Sequence, residues 1–240
     1  MSKNLKIFLG SFYLIILSLF LYFLFSYIEI NRLNDFSYYK EVQIILETLI
    51  GSNFYLNLLI FFFFCVIWVA LLGFGSPLLL ISGILFGKWV GTFISVVSIS
   101  IGALVLYSVA NFFFKDLVRE LLERKFSKYI YLFKKNEFYY FLAFRLAGGL
   151  GIPFGLQNIL PVVFNIKKVN YFIASLIGLT PTFFIMNTIG SGLNLYIKQA
   201  EKFNFTNLLF TKEIYIPIII FIIILLMSAF IKNKIFITEK

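Results

Sequence analysis

Two apolar stretches of this 240-residue chain are interrupted by glycine and proline where a membrane helix would be expected to continue. The first break lies at 73–87 and the second at 145–161. In lipid, every backbone N–H and C=O group must be bonded within the protein, so a broken helix persists only where protein or a water-filled cavity covers it. Matched breaks in the two halves of a chain are typical of a transport site.

The composition predicts an all-α integral membrane protein. Hydrophobic residues make up 61% of the chain and charged residues 13%, too few polar groups to cover a soluble domain. The net charge of +10 comes from cations that lie in short runs between apolar stretches. Such runs are typical of loops that set membrane topology, so we expect no nucleic-acid partner.

Histidine is absent from the sequence and Cys65 is its single cysteine. Most hydrolase triads and most zinc sites require one or both of these residue types. The sequence therefore predicts a protein that is not an enzyme, with no catalytic residues, no metal site and no cofactor.

Hydropathy and length predict four full transmembrane helices, at 7–28, 89–114, 169–190 and 214–231. The first is too long for the apolar region of a signal peptide and is expected to be retained. Mixed polar and apolar residues predict an interfacial helix within 29–53. The charged stretch 115–137 predicts a solvated helix outside the membrane.

The two broken stretches are expected to form re-entrant helical hairpins at 54–87 and 138–165. After the first break only about nine apolar residues remain, too few to cross the bilayer at about 1.5 Å per residue. This layout places 14 of the 21 Lys and Arg residues inside, six outside and Arg145 within the membrane. The asymmetry predicts an N-in, C-in topology, in which the two hairpins form an inverted repeat.

Arg145 is the main candidate for a functional residue. A guanidinium within an apolar segment costs about 2.5 to 3.5 kcal/mol on insertion scales, and its natural partner is a phosphate or carboxylate. Two alternatives are structural: the side chain could extend to the inner interface, or it could bond hairpin carbonyls. The surrounding segments contain no Asp or Glu to pair with it.

Gln157 and Asn158 place two amides in the second hairpin, where they could bind a head group together with Arg145. Alternatively, they could bond carbonyls that are freed by the prolines. The residues expected to form the hairpins are Pro77, Gly83, Gly87, Pro153 and Pro161, with the two glycines allowing close backbone packing.

Several of these positions resemble the SNARE-associated Golgi protein family, also called the VTT-domain or DedA superfamily, and in particular its Golgi-protein-like bacterial branch. The resemblance covers residues 54–192 and rests on Pro77, Gly83-Ile84-Leu85-Phe86-Gly87, Gly91, Gly102-Ala103, Phe144-Arg145-Leu146, Ile152-Pro153-Phe154, Asn158, Gly178 and Pro181. Residues 1–53 are then an N-terminal helix and interfacial segment, and 193–240 are an outer loop, the last helix and an inside tail. The first hairpin lacks the acidic residues that DedA proper uses for proton coupling.

The resemblance implies a lipid transporter or scramblase that moves a phospholipid or polyprenyl phosphate across the bilayer. Its partners would be membrane lipids with anionic phosphate head groups, and it could form a homo-oligomer. The resemblance also implies a bacterial inner membrane location. Two alternatives remain open: a small-solute or ion secondary transporter, and a non-transporting scaffold that binds a partner through the basic 115–137 helix.

Overall fold

The structure of the protein, a computed structural model, describes residues 30–32, 35–72, 75–113 and 115–236, with a few positions between 11 and 26. All regular secondary structure in these residues is helical, as predicted. Short 3-10 turns lie at Ile30–Arg32 and Gly148–Gly151. In chain order the helices are α1 (Phe36–Ser52), α2 (Phe54–Leu72), α3 (Ser76–Phe113), α4 (Lys115–Lys135), α5 (Glu137–Leu146), α6 (Phe154–Ile159), α7 (Pro161–Phe164), α8 (Lys168–Gln199), α9 (Phe205–Leu209) and α10 (Lys212–Phe236).

Three stretches of the described chain are long and apolar enough to cross a membrane: Phe54–Leu71, Ser76–Phe113 and Lys168–Gln199. The predicted span at 7–28 falls on residues that are, apart from isolated positions, outside the described part of the chain. The predicted span at 214–231 lies within α10. The count of four spans and the orientation stay predictions.

Helix α8 is longer than the predicted span at 169–190, because it continues to Gln199. Its last turns are held from outside the helix. Lys198 forms an ion pair with Glu47 of α1, and the Tyr196 hydroxyl accepts the Asn204 N–H at 2.8 Å. Lys198, which belongs to the predicted outer loop, therefore lies on a helix with a polar partner, whereas residues 200–204 connect α8 to α9.

Helix α3 is two helices joined at a sharp corner. Gly87 has φ 72° and ψ 176°, outside the helical region. Across this corner the Ser82 hydroxyl donates to the Gly91 carbonyl at 3.0 Å. A straight helix would separate these residues by about 13 Å along its axis. The 76–86 part therefore folds against the 88–113 part.

The second half of the chain follows a similar path. Helix α5 leads into the glycine-rich break, α6 and α7 return, and Asn165 turns the chain into α8 with a left-handed φ of 55°. The Glu137 carboxylate accepts the Lys167 N–H at 3.3 Å and also binds the Asn170 amide. The start of α5 and the start of α8 are therefore held together by hydrogen bonds.

The 88–113 part of α3 and helix α8 pack against each other in opposite directions. Gly91 lies at the level of Asn187, Ala103 contacts Tyr171, and the Tyr107 hydroxyl donates to the Ile166 carbonyl. Small residues also lie along this part of α3: Ser95, Ser98, Ser100 and Gly102 are buried. A Cβ at Gly102 would lie 2.7 Å from the Val66 carbonyl oxygen, so this glycine permits the close approach of α2.

Residues 43–240 form one compact unit and residues 1–42 another. In the smaller unit, Arg32 donates to both Glu41 carboxylate oxygens, at 2.9 and 3.0 Å. The predicted interfacial helix begins at Phe36 because the Asp35 carboxylate accepts the Ser37 N–H at 2.9 Å, as a helix-capping residue does.

Candidate functional site

Arg145 lies at the end of α5 and its side chain is completely buried. Helix α5 starts where the Asn136 side chain accepts the Tyr139 N–H, and it ends one residue after Arg145. Gly178 of α8 leaves room for this approach, because a Cβ there would lie 2.5 Å from the Arg145 Cβ. The alternative in which Arg145 extends to the membrane surface is therefore wrong.

The guanidinium bonds side-chain oxygens rather than the hairpin carbonyls of the second alternative. Nη2 donates to Asn158 Oδ1 at 2.8 Å and to the Tyr171 hydroxyl at 2.9 Å. Nη1 makes a longer contact of 3.5 Å with Gln157 Oε1. Three neutral oxygens thus orient the guanidinium without neutralising it.

Aromatic rings surround the charge. The Arg145 Cζ atom lies 4.9 Å from the centre of the Phe141 ring, 5.4 Å from that of Tyr171 and 5.6 Å from that of Phe154. The faces of aromatic rings carry partial negative charge, so these contacts partly offset the lost hydration of the cation.

The positive charge has no counter-ion among the described residues. None of its hydrogen-bond partners is a carboxylate, and Arg145 Nε has no partner there. The Asn158 amide nitrogen is also buried without one. An unused donor on an uncompensated buried cation is suited to an anion. No group of three or more Cys, Asp or Glu side chains in the described chain is placed to hold a metal ion.

Gln157 links Arg145 to the second break. Its amide nitrogen donates to the Ile152 carbonyl at 2.6 Å and to the Gly148 carbonyl at 3.3 Å. The amide nitrogen therefore bonds carbonyls of the break, while the amide oxygen faces Arg145. Gly149 permits this arrangement, since its φ is 71° and a Cβ there would overlap the Gln157 amide.

A cavity of about 270 Å³ brings the two breaks together. Gly75 and Ser76 line it from the first break, and Arg145, Gly148 and Gln157 line it from the second. Asn158 is not among its lining residues, so it acts behind Arg145 as a positioning residue. The charged group comes from the second break alone, and the cavity is asymmetric.

The residues expected to form the hairpins have different structural roles. Pro77 lies in the first turn of α3, Pro153 caps α6 and Pro161 begins α7, positions that tolerate a missing N–H. At Gly83 a Cβ would overlap the Asn187 carbonyl oxygen, so the close packing expected there is confirmed. Close packing is wrong for Gly87, where the space is open and the positive φ is what requires glycine.

Sequence reasoning missed Tyr171, which holds the centre of the network. Its hydroxyl binds Arg145 and lies 3.2 Å from the Ala103 carbonyl. Its ring stacks on Tyr107 at 4.7 Å and on Phe141 at 5.0 Å. A tyrosine in an apolar helix is a usable signal, because a buried hydroxyl needs a partner.

We expect Tyr171→Phe to lower the free energy of unfolding by about 1 to 3 kcal/mol, because it leaves a buried carbonyl and a charged donor without their partner. Thermal unfolding in detergent measures this loss. Tyr139→Phe is the matched control, since Tyr139 is exposed. Equal midpoints for the two variants would contradict the role assigned to the Tyr171 hydroxyl.

A family model described as the VTT domain matches residues 73–192, half of the chain. The match confirms the family resemblance found in the sequence and includes both breaks, Arg145 and Tyr171. No solved structure matches the chain.

Proposed function

Because the chain belongs to the VTT-domain family and is an integral membrane protein, we propose that it moves lipids with an anionic phosphate head group across the bilayer. The observation that carries this proposal is the buried, uncompensated Arg145 in the wall of the cavity where the two breaks meet. VTT-domain proteins are generally regarded as non-enzymatic, and the proposed activity is transport or scrambling without covalent change to the lipid.

A phosphate matches the guanidinium donor that this network leaves without a partner. A guanidinium presents its donors in a planar fork that suits two phosphate oxygens. Asn158 and Tyr171 hold Nη2, while Nε has no partner among the described residues. The head group would replace hydration that burial has removed from the cation.

A lipid accounts for the remainder of the cavity better than a small soluble anion does. Leu79, Phe154, Leu179 and Phe183 line it beside the polar groups. A ligand with a charged head and apolar chains would contact both the polar and the apolar parts of this lining.

We propose a topology in which the two hairpins re-enter the membrane from opposite sides. The 76–86 arm and helix α5 are eleven and ten residues long, about 17 and 15 Å, against a hydrocarbon core of about 30 Å. Helix α2, the other arm of the first hairpin, is long enough to cross, so only the 76–86 arm makes this hairpin re-entrant. The similar paths of the two halves and the opposed long helices support an inverted repeat. Four spans, the N-in, C-in orientation and the bacterial inner membrane complete the proposal.

Reconstitution tests the proposed function. Vesicles containing fluorescent phospholipid are bleached by an impermeant reductant, and loss of the protected inner-leaflet signal measures lipid movement. We expect the purified protein to accelerate this loss relative to protein-free vesicles. We expect Arg145→Ala to slow it about 10- to 100-fold, the factor for removing a charge-assisted hydrogen bond worth about 1.5 to 3 kcal/mol.

Arg124→Ala is the matched control, since Arg124 is an exposed arginine on α4, and it should keep the rate. The assay is repeated with a polyprenyl phosphate. Failure of the purified protein to move either lipid would rule out the proposal. Uptake of a soluble anion alone would favour a small-solute transporter, and a partner captured only with an intact α4 would favour a scaffold.

A further inference from the structure

A second cavity, of about 440 Å³, lies between the Gly87 corner, helix α8 and the start of α10. Its volume falls in the range of about 300 to 1,000 Å³ that is typical of ligand pockets. We call it the Lys88 groove, after the residue that contributes to it from the corner. The cavity of about 270 Å³ that Arg145 lines, called the arginine cavity below, is separate. None of its lining residues also lines the groove.

The Lys88 groove has a cationic part and an apolar part. Lys88, Lys212 and Glu213 supply its charges, with one net positive charge, and within the described residues neither lysine ammonium group has a hydrogen bond or ion pair. The apolar part is formed by Pro181, Phe184, Ile216, Pro217 and Ile220. This division matches an amphiphile with an anionic head.

Two helix N-termini add to the positive potential of the groove. The 88–113 part of α3 begins at Lys88, immediately after the Gly87 corner, and α10 begins at Lys212. The N-terminus of a helix carries roughly half a positive charge, and its first N–H groups have no partner within the helix.

The neighbouring side chains favour a lipid over a soluble anion. Trp89 is largely exposed, and its ring centre lies 5.0 Å from that of Phe184, which lines the groove. Tryptophan and lysine side by side on an apolar helix are typical of the boundary between head groups and acyl chains. An anion bound at this boundary would lie next to phospholipid.

From these observations we propose that the Lys88 groove binds an anionic phospholipid, with its head group between Lys88 and Lys212 and an acyl chain along Phe184, Ile216 and Ile220. This site is additional to the transport cavity and stands independently of the proposed transport. It would hold anionic lipid beside the α8–α10 pair, whose Phe183 and Phe221 line the arginine cavity.

Trp89 provides a direct readout of this site. The chain has two tryptophans, so Trp68→Phe leaves Trp89 as the only one. This protein is reconstituted into phosphatidylcholine vesicles with a minor fraction of phosphatidylglycerol, and bromine, which quenches tryptophan, is placed on the chains of one lipid or the other. At equal mole fraction, we expect the brominated anionic lipid to quench Trp89 about fivefold more than the brominated phosphatidylcholine. Fivefold is the binding preference that one net positive charge gives at about 1 kcal/mol.

In the Lys88→Gln, Lys212→Gln double variant the two lipids should quench equally. The control is Lys134→Gln with Lys135→Gln, which removes the same charge from exposed positions on α4 and should keep the difference. Equal quenching in the parent, or a difference that survives the groove substitutions, would overturn the proposal. So would loss of the difference on addition of inorganic phosphate, which would indicate a soluble ligand.

A second measurement avoids the Trp68 substitution. Native mass spectrometry of the unaltered protein should show a retained phosphatidylglycerol that is lost in the Lys88→Gln, Lys212→Gln variant and kept in the α4 control. Retention that is equal in all three proteins would overturn the proposal. Neither readout measures lipid movement, so transport can fail while this site stands.

Discussion

Gly83→Ala is expected to lower the free energy of unfolding by about 3 kcal/mol, the upper end of the usual cost of overpacking a buried site. A Cβ at this position would overlap the Asn187 carbonyl oxygen and lie 2.9 Å from the Asn187 Cα. Both are backbone atoms, so rotation of a side chain cannot relieve the overlap. Helices α3 and α8 would have to separate at the place where the Gly87 corner meets α8.

Thermal unfolding followed with a thiol-reactive dye measures this effect, because Cys65 is the only cysteine in the chain and is buried. Gly51→Ala is the matched control: Gly51 lies in α1 with no atom within 4 Å of a Cβ. Higher helix propensity should stabilise this control by up to about 1 kcal/mol. A Gly83→Ala protein as stable as the control would show that the helices do not pack as described.

Gly149→Ala is expected to lower the free energy of unfolding by about 2.5 to 5 kcal/mol and to remove lipid movement. A φ of 71° strains any residue with a Cβ by about 1 to 2 kcal/mol. In addition, the Cβ would displace the Gln157 amide, and the lost hydrogen bond to a charged group is worth about 1.5 to 3 kcal/mol. The Gly148 and Ile152 carbonyls would lose their hydrogen bonds from Gln157. Arg145 would lose its contact with the Gln157 oxygen.

Gly148→Ala separates these two contributions. Gly148 has a similar φ of 62°, but no atom lies within 4 Å of a Cβ there. This control should show the conformational strain without displacement of Gln157, and so a smaller loss of stability than Gly149→Ala. The dye-based unfolding assay and the vesicle assay, applied to both variants, provide the comparison. Equal losses in the two variants would mean that Gln157 does not support the site.

The sequence located the elements of the site but not their mutual contacts. Glycine, proline and an unpaired arginine identified both breaks, because lipid penalises these residues wherever they occur. Tyr171 escaped notice because it lies 26 residues from Arg145, beyond the reach of any helical periodicity. For Asn158, head-group binding and structural bonding were both open; in the structure its amide oxygen accepts from Arg145, and it does not line the cavity.

Glycines that look alike in the sequence show the same limit. Gly83 and Gly87 are four residues apart in one apolar helix, yet the first is needed for contact with α8 and the second for its positive φ. The contact partner of Gly83 lies more than a hundred residues away, and local patterns carry no information about it.

By itself, the sequence determined the membrane class, the helical content, the positions of the breaks and the presence of one cation that its surroundings do not neutralise. These follow from composition and short-range spacing, since solvation by lipid acts on each segment separately. The tertiary structure alone decided that Arg145 is fully buried, that its partners are neutral oxygens and that the two breaks share a cavity. These features depend on how α3, α5 and α8 pack, and packing is a property of surfaces that are distant in the sequence.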